Sequence, residues 1–137
     1  MHINSVMTRN VKIASPDDTL QRAAQVMEAN DFGLLPVGEN DRLVGMLSDR
    51  DITVRAVARG LSPVKCKVRD VMSSEVKYVY DDESIDDAAR NMSDLQVRRL
   101  PVLNRDKRLV GIVSLGDLAL TRPQPAAQAL TFISQPD

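Results

Sequence analysis

Histidine and cysteine are nearly missing from this sequence: His2 and Cys66 are the one example of each. A Ser-His-Asp triad, a Cys-His pair or a histidine-rich zinc site would have to use His2, which sits at a terminus where mobility is expected. Cys66 has no intrachain disulfide partner and reads as a bystander. Tryptophan is absent and only two Phe and two Tyr occur, so a core must be built from Val, Leu, Ile, Met and Ala. The net charge of −1 lacks the basic excess of a nucleic-acid or membrane-surface binder. No apolar run approaches the ~20 residues of a membrane span. Met1-His2-Ile3-Asn4-Ser5 has neither the basic nor the apolar region of a signal peptide. These absences lead us to expect a cytoplasmic protein without catalytic residues, metal, nucleic acid or membrane.

What is present is an internal repeat. Shifted by 65 positions, Val6-Met7 falls on Val71-Met72, Val11-Lys12 on Val76-Lys77 and Asp17 on Asp82. Ala23, Ala24 and Met27 fall on Ala88, Ala89 and Met92, and Leu35-Pro36-Val37 falls on Leu100-Pro101-Val102. After one inserted residue near Arg108 the shift is 66, and Leu43-Val44-Gly45, Ser48 and Asp51 fall on Leu109-Val110-Gly111, Ser114 and Asp117. The reading is repeat 1 over 1–59, a connector over 60–69, repeat 2 over 70–121 and a tail over 122–137.

Each repeat reads as βαββα. Val11 to Ala14 predicts a short strand, and Ser15-Pro16-Asp17-Asp18 predicts a helix start. Leu20, Ala23, Ala24 and Met27 share one helical face, which Ile85, Ala88, Ala89 and Met92 repeat. The methionines read as core filling. The helix should end near Asn30 to Gly33. Leu34 to Val37 follows as a strand, with Pro36 at an end or edge, then a turn over Gly38 to Asp41 and a strand from Arg42 to Leu47. A helix is expected from Asp49 to Ala58. The counterparts are Arg99 to Leu103, Arg108 to Val113 and Leu115 to Thr121, the last stopped by Pro123 and Pro125. In the tail, Ala129 to Ile133 is apolar enough to dock, or it frays. Strands this short imply an α/β (α+β) fold of two short sheets packed with helices about a pseudo-two-fold axis, with a cleft between the repeats.

The chemistry gathers at the strand-to-helix junction Ser48-Asp49-Arg50-Asp51. Free helix-start amides, the Ser48 hydroxyl and the Arg50 cation suit a phosphate. Asp51 could accept hydrogen bonds from ribose hydroxyls, as an acidic residue does in dinucleotide folds. Ser-x-x-Asp is equally a helix-capping box. Ser114-Leu115-Gly116-Asp117 repeats the spacing, and both roles can coexist.

These motifs resemble the CBS domain family: Thr19-Leu20 through Met27, Leu34-Leu35-Pro36-Val37, Leu43-Val44-Gly45-Met46-Leu47 and Ser48 through Asp51, with a second copy from Ser84-Ile85 to Asp117. The resemblance covers about residues 3 to 121. It is especially to small stand-alone bacterial tandem members, the hypoxic-response type among them. It implies a regulatory module binding an adenosine compound (AMP, ADP, ATP, NAD or S-adenosylmethionine) as ligand, with no catalytic cofactor. It places ribose at Asp51 and Asp117 and phosphate at Ser48 and Ser114. It places adenine against the main chain at Lys12, Ile13, Lys77 and Tyr78, flanked by Pro36 and Pro101. It also implies a homodimer paired through exposed helix faces, with an effector protein as a further partner.

The copies are unequal: Arg50 is matched by Gly116, and Arg98-Arg99 replaces Gly33-Leu34. One cleft should therefore bind a phosphorylated ligand better, with Arg99 as an added candidate cation. The competing function is a ligand-free interaction or scaffold protein in which the Ser-x-x-Asp motifs only cap. An enzyme is not expected, because the chain offers no nucleophile-base pair.

Overall fold

The structure is a computed structural model that describes residues 1–121 and 123–134. It is a mixed α/β protein with two compact units. One is Lys12–Val76. The other joins Met1–Val11 to Lys77–Asp137.

In the unit Lys12–Val76, α1 (Leu20–Asn30) leads into the antiparallel hairpin of β1 (Leu34–Glu39) and β2 (Arg42–Ser48). Thr19 caps α1 by accepting the Arg22 amide at 3.1 Å. Asp31 closes the helix in the left-handed region at φ 52°, which short polar side chains tolerate. Alternation along the hairpin turns Leu35, Val37 and Leu47 into the core, each 0% exposed. Leu20, Ala23 and Met27 of α1 meet them there. Ala24 is exposed rather than part of the buried stripe. The first strand shrinks to one parallel bridge, Ala14 to Val37. Ala14 donates to the Pro36 carbonyl and accepts from Gly38. Along that side of β1 so short a pairing leaves no ladder for a proline to break, which is why Pro36 is tolerated mid-strand.

The other unit repeats the plan with β3 (Val79–Tyr80), α4 (Ile85–Leu95), β4 (Arg99–Leu103) and β5 (Leu109–Ser114). β3 runs parallel to β4, and β4 antiparallel to β5. Ser84 caps α4 through the Asp87 amide, and Ile85, Ala88, Ala89 and Met92 are all buried.

The start of α1 lies beyond the stretch in which the sequence predicts it. Ser15 to Asp18 makes its own turn, with Asp18 N donating to Ser15 O and Ser15 N to Asp18 Oδ2, so the cap moves on to Thr19. The repeated position of Asp17 and Asp82 serves ion pairs instead, to Arg69 and Arg105 respectively. The expected helix from Asp49 to Ala58 is a short α2 (Asp49–Asp51) followed by π-helix over Ile52–Val57. The β-branched run Ile52-Thr53-Val54 is poor α-helical material.

The tail also departs from expectation. After α5 (Leu115–Ala119), Pro123 does not end a helix but opens one, α6 (Pro123–Ile133). A proline in the first turn forfeits no hydrogen bond. Ala126 and Ala129 are buried against the α4 core, so this stretch docks on its own unit rather than fraying.

The arms that precede each repeat pack one repeat away. In the unit Lys12–Val76, α3 (Val68–Val71) and its flanks close on α1 and the hairpin: Leu20 N donates to Cys66 O, and Met46 and Ser73 exchange both hydrogen bonds. In the other unit a 3-10 turn, Ile3–Ser5, does the same: Ile85 N donates to Met1 O, and Ile112 and Thr8 exchange both bonds. The N-terminus is therefore tied down, with Ile3 0% exposed.

Candidate functional site

The non-core face of each hairpin carries several of the candidate residues. Directly opposed residues share a face, and so do residues two apart on a strand. Leu34 is opposite Ser48 and Pro36 opposite Met46, so Pro36 and Ser48 lie on the face away from Leu35 and Val37. Ile13 joins them: its Cδ1 would stand 3.1 Å from a Cβ on Gly38. Lys12 precedes it and is exposed. In the other unit Arg99 is opposite Ser114 and Pro101 opposite Ile112. Tyr78 stands where Ile13 does, its ring edge-on to Tyr80 with centroids 5.5 Å apart. Arg105 covers the Tyr80 ring at 4.1 Å. Both prolines are buried, whereas Lys77 and Arg99 are exposed.

At the end of β2 the chain forms a reciprocal cap. The Ser48 hydroxyl accepts the Asp51 amide at 3.0 Å, and Asp51 Oδ2 accepts the Ser48 amide at 2.9 Å. Ser114 and Asp117 repeat it at 3.1 and 2.9 Å. The cap occupies one oxygen of each carboxylate. The remaining oxygens differ: Oδ1 of Asp51 lies 3.9 Å from Nε of Arg55, whereas the residue four on from Asp117 is Thr121. Arg50 is exposed.

Gly33 explains why the first junction fits. A Cβ on Gly33 would stand 2.7 Å from Asp49 Oδ2, and Asp49 N donates to Gly33 O at 2.8 Å. Leu115 N donates to Arg98 O in the same way. A Cβ on Gly116 would meet only Ser114 Oγ at 3.6 Å, so that position has room for a side chain.

Arg55 is the residue of this neighbourhood that the sequence reading left out. The signal for it was present, as an Asp-Arg pair spaced i, i+4. Cys66 is buried, and burial raises its thiol pKa, with the Asp70 carboxylate adding to the rise. That is the opposite of an activated nucleophile. Among the described residues no group of three or more His, Cys, Asp or Glu could hold a metal ion, and no helix is long and apolar enough to cross a membrane.

Residues 3–57 and 68–121 each match the model of the CBS domain. The chain is 41% identical over 134 residues to the CBS domain-containing protein YhcV of Bacillus subtilis, spanning 96% of this chain and 94% of that one. It is 39% identical over 122 residues to Hypoxic response protein 1 of Mycobacterium tuberculosis, spanning 88% and 85%. A crystal structure of Hypoxic Response Protein I with two coordinated zinc ions superposes with a TM-score of 0.81 at 38% identity, over 90% of this chain and all of that one. The structure of CBSX2 in complex with AMP superposes with a TM-score of 0.76 at 27% identity, over 90% and 96%.

Proposed function

We propose that this chain, which belongs to the CBS domain family as two copies in tandem, binds an adenosine-containing ligand through its Ser-x-x-Asp junctions and works as a sensor, not a catalyst. The reading rests on one observation above the others. In both copies the reciprocal cap fixes the carboxylate by Oδ2 and leaves Oδ1 outside the cap. A carboxylate held this way has lost its rotamer freedom before any ligand arrives, so little ordering cost remains to be met on binding. Oδ1 of Asp51 and of Asp117 would accept the ribose hydroxyls. The hydroxyls of Ser48 and Ser114 can still donate to a phosphate while they accept the cap hydrogen bond. Lys12, Ile13, Lys77 and Tyr78 would border the adenine, beside Pro36 and Pro101. Arg50 and Arg99 would supply positive charge to a phosphorylated ligand. AMP is the first compound to test, because CBSX2 holds it; ADP, ATP and NAD share the adenosine that the junction would read. A homodimer in the cytoplasm acting on an effector protein completes the reading.

The decisive experiment is thermal unfolding and calorimetry with AMP, ADP, ATP, NAD and S-adenosylmethionine. Ligand at 100 times its dissociation constant is expected to add about 2.7 kcal/mol. A panel that moves neither the melting temperature nor the heat sinks the reading. Because the cap is closed entirely by the chain's own residues, it also supports a second reading, a scaffold in which both motifs only hold helix starts. Under it, Asp51→Asn and Asp117→Asn would leave every ligand response unchanged.

A further inference from the structure

We infer that Arg55 is a positioning residue that links the ligand-reading carboxylate of Asp51 to the arm of the same unit, so that ligand and arm order each other. The inference rests on the adenosine-binding reading of Asp51 and goes beyond it.

The helical spacing of Asp51 and Arg55 is what brings the groups together. Arg55 sits four residues after Asp51, and its Nε faces Asp51 Oδ1 at 3.9 Å. The same guanidinium donates through Nη1 to the carbonyl of Val71 at 3.2 Å and towards that of Met72 at 3.4 Å. Those carbonyls end α3, where helix carbonyls have no partner of their own. The next residue, Ser73, exchanges backbone hydrogen bonds with Met46 of β2. One planar fork therefore spans the carboxylate and the end of the arm. Arginine can do this because its donors point in several fixed directions, whereas the lysine ammonium is a point charge.

The Asp51 pair is long and partly exposed, with side-chain exposures of 45% for Arg55 and 20% for Asp51. On its own such a pair is weak. A ligand seated on Asp51 excludes water from the pair, and the lower local screening strengthens the pull on Nε. The guanidinium then keeps its place over the Val71 and Met72 carbonyls for more of the time. By linkage, an arm that is already clamped must favour the ligand by the same factor. The second copy has Thr121 in place of Arg55, so this coupling belongs to the first copy alone.

The test compares the full chain with Arg55→Ala and Arg55→Lys by hydrogen exchange at the Met72 and Ser73 amides, with and without saturating AMP, alongside calorimetric affinity. In the unchanged protein AMP is expected to slow exchange at both amides. Arg55→Ala should lose that slowing and bind AMP at the Asp51 site about five- to tenfold more weakly. Arg55→Lys should regain part of the affinity but not the slowing. A purely structural arginine would raise exchange equally with and without AMP and leave the affinity of the folded fraction unmoved. If AMP binds and exchange at Met72 and Ser73 does not respond, the coupling is wrong and the binding reading stands. If AMP and the other adenosine compounds fail to bind, both fall together.

Discussion

Met72 lies against Gly45 so closely that a Cβ on the glycine would stand 2.6 Å from the methionine sulfur and 2.9 Å from the backbone oxygen of Ser73. Met7 and Thr8 stand in the same relation to Gly111, at 2.6 and 2.9 Å. A thioether can swing aside, but a carbonyl held in a paired bridge cannot. Gly45→Ala and Gly111→Ala are therefore expected to destabilise by about 1–3 kcal/mol each, the usual cost of overfilling a packed site. Urea unfolding of the two variants measures it. Changes below a few tenths of a kcal/mol would show that the arms are loosely seated.

The cap and the ligand role of Asp51 separate by choice of substitution. Asp51→Asn keeps an oxygen for the Ser48 amide, so the cap should survive with a loss under about 1 kcal/mol. Ser48→Ala deletes the acceptor for the Asp51 amide and should cost about 0.5–2 kcal/mol. Only Asp51→Asn changes the charge offered to a ribose. Calorimetry should find that it weakens AMP binding more than Ser48→Ala does, although it disturbs stability less.

Gly116 is a point where the second junction could be made more like the first. Its added Cβ meets nothing closer than 3.6 Å, and its φ is not among the positive values. Gly116→Arg should fold normally and stabilise α5 by up to about 1 kcal/mol, because glycine is a poor helix former. On the proposed function it should also tighten binding of ATP relative to adenosine, since it adds the cation that Arg50 provides in the first copy. Equal affinities for the two compounds before and after the change would show that this position does not face the phosphates.

Two turns should give the protein an acid-sensitive edge. A hydrogen bond from Arg69, then its charge, holds the Asp17 carboxyl below its ordinary value of 3.8. Arg105 holds Asp82 below the same value, again first through the hydrogen bond. A carboxyl whose pKa is lower in the folded state contributes stability that is complete above 3.8 and disappears as pH falls through the folded value. Unfolding midpoints followed from pH 5 to pH 2 should therefore decline, and Asp17→Asn with Asp82→Asn should flatten part of the decline. Both pairs are exposed, so high salt should shrink the effect.

The sequence by itself determined α1, α4, the two hairpins and the candidate junctions. Leu20, Ala23 and Met27, with their partners 65 residues on, recur at helical spacing because one face of a helix must be apolar. Leu35, Val37 and Leu47 alternate because one face of a hairpin must be. Ser48 with Asp51, and Ser114 with Asp117, name their caps because the partners are three residues apart. All of these are short-range constraints, and a repeat doubles the signal. Tertiary structure alone decided three other matters. Whether Val6-Met7 packs on its own repeat or on the next is undetermined in a tandem repeat, since Gly45 and Gly111 offer the same seat; long-range pairing of Thr8 with Ile112 settled it. That Pro123 opens a helix rather than ending one depends on the apolar face of α4 waiting to be covered by Ala126 and Ala129. And Arg55 reaches the Val71 carbonyl only because the fold brings residues 16 positions apart into contact, a distance over which neither periodicity nor capping carries any information.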